Sequence, residues 1–495
     1  MNKLHRRQLL KLLGLSAAGA SGAVSALLHQ KRAVAQTAQK PYFLIVIPAA
    51  GGASIIDGPL AIREGESPNA MTINAFPDAE VVSVANSPFR AVNLRRNAAG
   101  PIPFPFTTNQ EAFVTKHKDD MMAVTVTGTS VNHRVAQKRS LTGNEAWHGR
   151  TLQEAVAAQY GAGYPLPNVN MAVDGYIEHG NDPSLPTWAR HEPVSNASVW
   201  PLGLDGAKGI KDLPSRALIE RARALRNQDL DSLSPFAQTF EKSSRLKLWN
   251  DQRSDLSHAL EMQDLITKLM ILPNNGQIPL TEYGLLESPD GQKVRAKFPN
   301  FLTDPLEAEA ALAFLLIKNK VSVSVSISPS FGVLLAGVDI RNPPLAFDFS
   351  HNAHRAAQGI MWKRIMNIAD GLIDLLSAEE FDSATGESYW DRTLIYVATE
   401  FGRDKARQGG ADDFGTGHHL NNGYLIVSPL ANGNHVLGGV DPATGLTYGF
   451  DPTTGAPDTH RNMTEAEIYS GILGALKVDT SAVNLPDVRA MRKTA

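Results

Sequence analysis

The chain contains no cysteine among its 495 residues. That absence excludes disulfide bonds, zinc–thiolate sites, iron–sulfur clusters and cysteine nucleophiles. Any metal site must therefore use His, Asp, Glu or hydroxyl ligands. Aromatic residues are also few, at 7%, but a hydrophobic share of 43% and a charged share of 20% are ordinary for a globular protein. A chain of this length can bury a sizeable core.

Beyond residue 35 the chain lacks the positive charge that a nucleic-acid-binding surface needs. Residues 1–35 hold six basic residues and no acidic one, whereas the rest holds 41 bases against 50 acids, a balance of −9. Because binding to a phosphate backbone requires a basic face, the sequence predicts no nucleic-acid partner. Apolar runs of membrane-span length are also lacking after residue 35, so no stable span is expected in the mature chain.

Residues 1–35 have the three-part layout of a secretory signal: a basic start, seventeen uncharged residues from Leu12 to Leu28, and a small-residue site at Ala33–Ala35. The pair Arg6-Arg7 resembles the twin-arginine export signal. The uncharged stretch is rich in Gly, Ala and Ser, so it is less apolar than a membrane span, although an uncleaved anchor is the alternative. The sequence predicts a signal peptide over 1–35, the twin-arginine translocase as export partner, and a periplasmic or secreted protein.

Changing Arg6→Lys and Arg7→Lys together is expected to stop export, because a receptor reads the paired arginines as an address rather than as charge. The measurement is the exported fraction of the full chain after cell fractionation. Lys3→Arg, which keeps the charge and lies outside the pair, is the matched control and should export normally. Unchanged export of the double variant would point to general secretion instead.

Short apolar runs and helical segments alternate along residues 37–495, which predicts an α/β fold. Four continuous runs are typical of strands buried on both faces: Tyr42–Ile47, Met121–Thr127, Thr393–Ala398 and Tyr424–Ser428. Val321–Ser328 alternates strictly, which predicts a half-exposed or near-edge strand. Helices are predicted over Leu152–Tyr160, Leu306–Ile317, His354–Leu376 and Thr464–Leu476. The predicted fold is a three-layer α/β/α sandwich around a mainly parallel sheet.

Residues 163–300 interrupt this alternation and predict a loop-rich and helical insertion into the main domain. Its central part, 212–271, is polar and helical in character and has no β-rich run.

Polar side chains follow the predicted strands at the points where ligands bind in parallel sheets. The residues that could carry chemistry there are Asp57, Thr129, Ser130, His133, Asp348, His351, Glu400, Arg403 and His418. Carboxylates and imidazoles suit a divalent ion, and zinc, manganese, magnesium and calcium all remain open. We expect the metal-ligating members to meet in one pocket, because parallel strands end at one edge of the sheet.

Each element also has a purely structural interpretation. Gly51-Gly52 is also what a tight turn alone requires, and Asp348 is also a favoured helix cap. Glu400 and Arg403 would also form an ion pair closing a strand, since an unpaired buried charge is costly. His418-His419 in a Gly-rich loop would be exposed and idle under the same interpretation.

Three segments resemble the domain of unknown function 1501 family. They are Glu400-Phe401-Gly402-Arg403, Gly415-Thr416-Gly417-His418 and Gly438-Gly439-Val440-Asp441. Gly51-Gly52 with Asp57, and Asp348 with His351, resemble two further family motifs. That family is similar to the alkaline phosphatase and sulfatase superfamily, so the resemblance implies an alkaline-phosphatase-like fold and a twin-arginine signal.

The resemblance also implies roles for the residues at the strand ends. The superfamily's ligand order implies metal ligands at Asp57, Asp348, His351, Glu400 and His418. His354 is the alternative to His351, because the Asp/His spacing is three residues here and four in the superfamily. Ser130 or Thr129 would be the nucleophile, Arg403 would bind an oxyanion, and His133 would orient substrate or act as general acid.

The function predicted is exported, metal-dependent hydrolysis of a small-molecule phosphate or sulfate ester. One alternative is a catalytically degenerate binding or surface-assembly protein on a phosphatase-like scaffold, because a fold does not imply a function. A second alternative is a carbohydrate hydrolase with two paired carboxylates.

Overall fold

A computed structural model describes residues 39–97, 105–204, 214–226, 233–243, 264–329, 333–335, 338–340, 347–408 and 411–493. The chain divides into two compact units, Met1–Pro41 and Tyr42–Ala495. Only residues 39–41 of the first unit are described, so the predicted signal peptide over 1–35 lies outside the described residues. The second unit carries the fold.

Eight strands of the described part of the chain form one central sheet. They are β1 (Phe43–Ala49), β2 (Met121–Thr127), β3 (Asn168–Asn170), β4 (Glu192–Pro193), β5 (Ser324–Ser326), β6 (Thr393–Thr399), β7 (Asn421–Val427) and β8 (His435–Leu437). Their order across the sheet is β4-β3-β5-β1-β6-β7-β2-β8. β7 runs antiparallel to both of its neighbours, and every other pairing in this sheet is parallel. The α/β class with a mainly parallel sheet is therefore confirmed.

The central strands are apolar because both of their faces are covered. β1 pairs with β6 along its whole length, from Phe43 opposite Thr393 to Ala49 opposite Thr399. Every residue of β1 and β6 is buried. A strand with no solvent face needs no polar alternation, which is why these runs are continuous in the sequence.

The alternating segment Val321–Ser328 is not half-exposed or near an edge, as its pattern predicts. β5 lies between β1 and β3, and its residues are fully buried. Two of the serines have hydrogen-bond partners inside the fold: Ser322 donates to the Leu166 carbonyl, and Ser326 accepts from the Gln153 amide at 3.0 Å. Small polar side chains with internal partners thus imitate the pattern of solvent exposure.

Eight of the ten α-helices of the described residues form two groups that both contact the sheet. The ten are α1 (Glu111–His117), α2 (His133–Thr142), α3 (Leu152–Tyr160), α4 (Arg216–Leu225), α5 (Pro235–Thr239), α6 (Leu265–Leu269), α7 (Gly291–Lys297), α8 (Pro305–Lys318), α9 (His354–Ser377) and α10 (Glu465–Ala475). Helices α2, α3 and α10 pack together, and so do α1, α6, α7, α8 and α9. Helices α3 and α8, one from each group, both contact β5. Among the described helices, none combines the length and apolar character that crossing a bilayer requires.

Helix α10 begins with the capping box that the sequence predicts. Thr464 accepts from the backbone N–H of Glu467 at 3.3 Å, and the Glu467 carboxylate accepts from the backbone N–H of Thr464 at 2.8 Å. Two otherwise unpaired helix donors are satisfied by this exchange.

The predicted insertion over 163–300 needs a correction at its start, because β3 and β4 belong to the central sheet. These strands are only three and two residues long and contain no apolar run. Buried side-chain amides replace apolar burial: Asn168 donates to the Ala189 carbonyl and Asn170 to the Tyr176 carbonyl. The departure from the sheet therefore begins after Pro193. Within 212–271, the described residues form α4, α5 and α6 and contribute no strand.

The remaining strands form small sheets around the central one. Two-stranded pairs join Val81–Ser83 to Arg90–Val92, Arg95–Arg96 to Phe106–Thr107, Val333–Leu335 to Val338–Ile340, Glu380–Asp382 to Glu387–Ser388, and Gly402–Arg403 to His418–His419; Gly439–Val440, Thr447–Phe450 and Pro457–Asp458 form a three-stranded sheet.

Three hairpins in these small sheets share one turn, Asp-x-x-Thr-Gly, which the sequence analysis missed. It occurs at Asp382–Gly386, Asp441–Gly445 and Asp451–Gly455. In each turn the glycine N–H donates to the aspartate carbonyl at 2.8 Å. The three glycines have φ of +72°, +72° and +77°, which a residue with a Cβ adopts only under strain. The repeat is therefore a turn signal rather than a ligand motif.

Stability is expected to fall in mild acid because of His191. Its ring stacks on that of His179 at 3.9 Å, and burial, with the nearby His179 and Arg190, lowers the pKa of His191 to about 3 from 6.5. The unfolded chain takes up this proton near pH 6.5 and the folded chain does not. The stabilisation is thus complete above that pH and is lost as the pH falls toward 3, by up to about 1.4 kcal/mol per pH unit.

The measurement is the unfolding midpoint of His191→Gln between pH 7 and pH 4. The variant should show a flatter pH dependence than the parent chain. His460→Gln, at an exposed position, is the matched control and should keep the parental slope. An unchanged slope in His191→Gln would assign the acid sensitivity to other groups.

Candidate metal centre

The candidate site lies at the sheet edge where β1, β2 and β6 end. Residues 128–133 follow β2, and Glu400 follows β6 directly. His418 precedes β7, whose antiparallel direction brings its beginning to the edge where its neighbours end. Arg403 pairs with His418 in the small sheet beside this edge.

Three side chains converge so that one ligand atom of each lies within 4.8 Å of the other two: His133, Asp348 and His418. The Asp348 carboxylate oxygen is 3.5 Å from Nε2 of His133 and 3.9 Å from Nε2 of His418. His351 extends the cluster, because its Nε2 lies 3.4 Å from the same oxygen and 2.9 Å from Nε2 of His418. We call these four residues the histidine–aspartate cluster. Its side chains are between 19% and 42% exposed, so the cluster is open to solvent.

Two imidazoles of the cluster are fixed through their other ring nitrogen. Nδ1 of His418 lies 2.9 Å from the Val131 carbonyl oxygen, and Nδ1 of His133 lies 3.0 Å from the Glu400 carboxylate. A carbonyl or carboxylate only accepts, so each Nδ1 carries the proton. In their neutral form these two rings would present an unprotonated Nε2 toward Asp348. Metal-ligating histidines in proteins are held in this way.

Glu400 faces the cluster from behind. Its side chain is fully buried, one oxygen accepts from the Gly51 backbone N–H, and the other accepts from His133. The hydrogen bond to Glu400 is the main cause that raises the pKa of His133, against the opposing effect of partial burial. Glu400 therefore orients a cluster residue rather than joining the cluster.

Aromatic packing holds the imidazoles from the side. The buried Phe401 ring stacks on His418 with 4.0 Å between ring centroids, and it meets His133 edge-on at 5.0 Å. The phenylalanine of the Glu-Phe-Gly-Arg segment thus fixes the planes of two imidazoles.

Arg403 is fully buried, and its guanidinium contacts the protein itself. It donates to the carbonyls of Gly51, Phe347 and Thr416 and to the Asp348 carboxylate at 2.9 Å. Burial alone would raise the pKa of Asp348, but the neighbouring His418 and Arg403 outweigh it and hold that pKa well below its usual value. Asp348 is therefore an anion at neutral pH. With its donors so engaged, Arg403 is not placed to bind the oxyanion that the sequence assigns to it.

Gly51-Gly52 is a tight turn that the site requires. The two glycines have φ of +98° and +81°. A Cβ atom at position 51 would collide with the backbone of Asp348, and one at position 52 would lie 2.8 Å from the Phe401 ring. The turn brings the Gly51 N–H and carbonyl to Glu400 and Arg403 respectively.

Asp57 lies outside the histidine–aspartate cluster, in a buried hydrogen-bond chain. Its oxygens accept from Asn74 at 2.9 Å and contact Nε2 of His354 at 3.0 Å, and Nδ1 of His354 contacts the Thr416 hydroxyl at 3.0 Å. Burial opposes ionisation of Asp57, but His354 and Asn74 outweigh it and lower its pKa. His354, the alternative ligand, is thus buried with both ring nitrogens engaged. Thr416 lies two residues before His418. The hydrogen bonds from Asp57 through His354 to Thr416 therefore support the loop that carries His418.

The two predicted nucleophiles differ in their surroundings. The Thr129 hydroxyl donates to Glu465 at 2.8 Å and accepts from Arg139 at 2.8 Å. The Ser130 hydroxyl oxygen accepts from the Asn132 backbone N–H at 3.1 Å. Ser130 directly precedes Val131, whose carbonyl holds His418. Among the described contacts, Ser130 therefore has the less committed hydroxyl.

His133 is predicted from the sequence to orient substrate or act as an acid, whereas in the structure its Nε2 lies 3.5 Å from Asp348 within the cluster. The sequence signal available was Asn132, a favoured helix N-cap that places His133 at the start of α2. The roles assigned to the other site residues remain predictions.

Comparison of the chain with protein-family models and with curated proteins gives no match.

Proposed function

We propose that the chain is an exported, metal-dependent hydrolase of phosphate or sulfate esters. The observation that carries the proposal is the histidine–aspartate cluster, with two imidazoles fixed through Nδ1 and turned toward one carboxylate. Imidazole nitrogens and a carboxylate oxygen are the ligands that zinc and related ions take in catalytic sites. The cluster's exposure leaves room for substrate beside it.

The residues present fit a bound divalent ion. Asp348 with His133, His351 and His418 would hold it. A bound ion would supply Lewis-acid polarisation of the ester and neutralise charge that develops on its oxygens. Arg403 anchors Asp348 from the buried side, and Glu400 keeps His133 in the tautomer that ligation requires.

Ser130 is the favoured nucleophile. Its hydroxyl is less committed than that of Thr129, and the loop that carries it also holds His418. Attack by this hydroxyl would form a bond from the Ser130 oxygen to phosphorus or sulfur while the bond to the leaving alcohol breaks, with the serine proton passing through water to that alcohol; a second water would then cleave the seryl ester and restore the hydroxyl. Thr129, bound between Glu465 and Arg139, would instead shape the loop.

We also propose that the scaffold is a three-layer, alkaline-phosphatase-like sandwich. The two groups of helices that both contact β5 support a layer on each side of the sheet. The chain order of strand-end residues, from Asp57 through Ser130, Asp348 and Glu400 to His418, agrees with the superfamily order.

The test is hydrolysis of aryl phosphate and aryl sulfate esters by the purified chain loaded with zinc or manganese. We expect turnover of one ester class, lost in Ser130→Ala and kept in Thr129→Val. Thr129→Val keeps the volume of the side chain and so controls for loop packing. A chain that binds metal but hydrolyses neither class would overturn the proposal and favour a binding or assembly protein.

A further inference from the structure

We propose that the histidine–aspartate cluster holds one ion of the zinc class. Asp57, which the superfamily resemblance would make a metal ligand, instead has both carboxylate oxygens hydrogen-bonded by residues of the chain itself. The inference rests on the proposed metal-dependent function, and it concerns the number and chemical class of ions rather than turnover.

The spacing of the cluster suits a single ion. Ligand bonds of about 2.0–2.1 Å at tetrahedral angles place neighbouring ligand atoms about 3.3–3.4 Å apart. The Asp348 oxygen lies 3.4 Å from Nε2 of His351, 3.5 Å from that of His133 and 3.9 Å from that of His418. Nε2 of His351 and Nε2 of His418 lie 2.9 Å apart, so these two rings would have to move apart slightly to reach tetrahedral spacing around one ion.

The donor set selects the class of ion. Three imidazole nitrogens and one carboxylate oxygen suit zinc and its transition-metal neighbours, whereas magnesium and calcium prefer oxygen ligands. Glu400 does not add an oxygen to the set, because both of its oxygens are engaged by Gly51 and His133.

The hydrogen-bonding capacity of the Asp57 carboxylate is met by neighbouring residues of the chain. Its side chain is 1% exposed, and its two oxygens are engaged by Asn74 and His354. The buried side chain of Lys405 lies close enough to interact electrostatically with Asp57. Among the described residues, the Lys405 ammonium has no hydrogen-bond partner. Asp57 thus has two hydrogen-bond partners and a nearby basic side chain within the chain itself.

No described contact joins Asp57 to the histidine–aspartate cluster directly. The connection runs through His354 and Thr416 to the loop that carries His418. In two-ion hydrolytic sites the ions lie about 3.5–4 Å apart and share surrounding ligands. Asp57 is hydrogen-bonded on both oxygens and is 1% exposed, whereas Asp348, although Arg403 donates to one of its oxygens, is 33% exposed beside the imidazoles.

The experiment counts ions in the full chain after export. The purified protein is stripped with a chelator, titrated with Zn²⁺ against a chromophoric chelator, and analysed for metal by mass spectrometry. We expect one Zn²⁺ per chain that millimolar Mg²⁺ or Ca²⁺ does not displace. Two tightly bound ions per chain, none, or displacement by Mg²⁺ would each overturn the inference.

Two matched substitutions locate the ion. Asp57→Asn should keep one Zn²⁺ per chain, whereas Asp348→Asn should weaken binding by more than the roughly 10–100-fold that loss of an outer partner causes. Loss of the ion in a folded Asp57→Asn, but not in Asp348→Asn, would overturn the inference. If Asp57→Asn does not fold, the parental ion count still decides. Hydrolysis is not measured, so one bound ion without turnover would reject only the proposed function.

Discussion

Replacing Arg403 by methionine is expected to destabilise the folded chain by roughly 2–5 kcal/mol, chiefly because each buried carbonyl that loses its donor costs about 1–3 kcal/mol. The guanidinium is fully buried and joins Asp348 to the carbonyls of Gly51 and Thr416. Methionine replaces the volume but no donor. It leaves a carboxylate without its cation and backbone carbonyls without partners. The measurement is the urea midpoint of unfolding of the metal-free chain.

Arg134→Met is the matched control, because Arg134 is 72% exposed and forms a surface pair with Glu178. Exposed pairs contribute about 0–1 kcal/mol, so this variant should unfold close to the parent chain. Arg403→Lys tests geometry, since an ammonium cannot reproduce the fork that reaches Gly51 and Asp348 together. Equal midpoints for Arg403→Met and Arg134→Met would show that Arg403 does not hold the site together.

The centre of the sheet could be predicted because burial on both faces leaves a plain mark in the sequence. β1, β2 and β6 are continuous apolar runs with every residue, or all but one, out of contact with solvent. The outer strands carry no such mark. β3 relies on the hydrogen bonds of buried Asn168 and Asn170, and those partners become visible only when the chain is folded.

The location of the site could be predicted from the sequence, but which of its residues face the cluster and which turn into the core could not. Polar residues at strand ends identify the sheet edge. His418 precedes its strand rather than following it, and it reaches the same edge because β7 runs antiparallel to its neighbours. A carboxylate at a strand end can either face solvent or turn inward. Asp57 turns inward because Asn74 and His354, far away in the chain, meet it there.

For Glu400, too, the sequence does not show which way the carboxylate turns. Its position after β6 predicts a ligand, but the Gly51 turn presents a backbone N–H to one of its oxygens and His133 engages the other. Sequence position alone does not distinguish a ligand from the group that orients it. Their separate effects on affinity for an ion do distinguish them.

His418→Ala is expected to lower Zn²⁺ affinity by far more than Glu400→Gln does. The first variant deletes an Nε2 of the histidine–aspartate cluster, and a four-ligand site that loses one imidazole loses a direct bond to the ion. The second keeps every cluster atom and replaces the carboxylate that holds Nδ1 of His133 and accepts from the Gly51 N–H. Removing such an outer partner costs about 10–100-fold in affinity.

The measurement is competition for Zn²⁺ with a chromophoric chelator at fixed pH, with folding of each variant checked by circular dichroism. His460→Ala, at an exposed position away from the cluster, controls for loss of a surface imidazole and should bind as the parent chain does. The order of affinities should be parent and His460→Ala highest, Glu400→Gln intermediate and His418→Ala lowest. If Glu400→Gln binds more weakly than His418→Ala while both remain folded, Glu400 is itself a ligand and His418 is not. The cluster would then have to be redrawn around the carboxylates, because an ion bound by Glu400 would lie on the buried side of His133 rather than at its exposed Nε2.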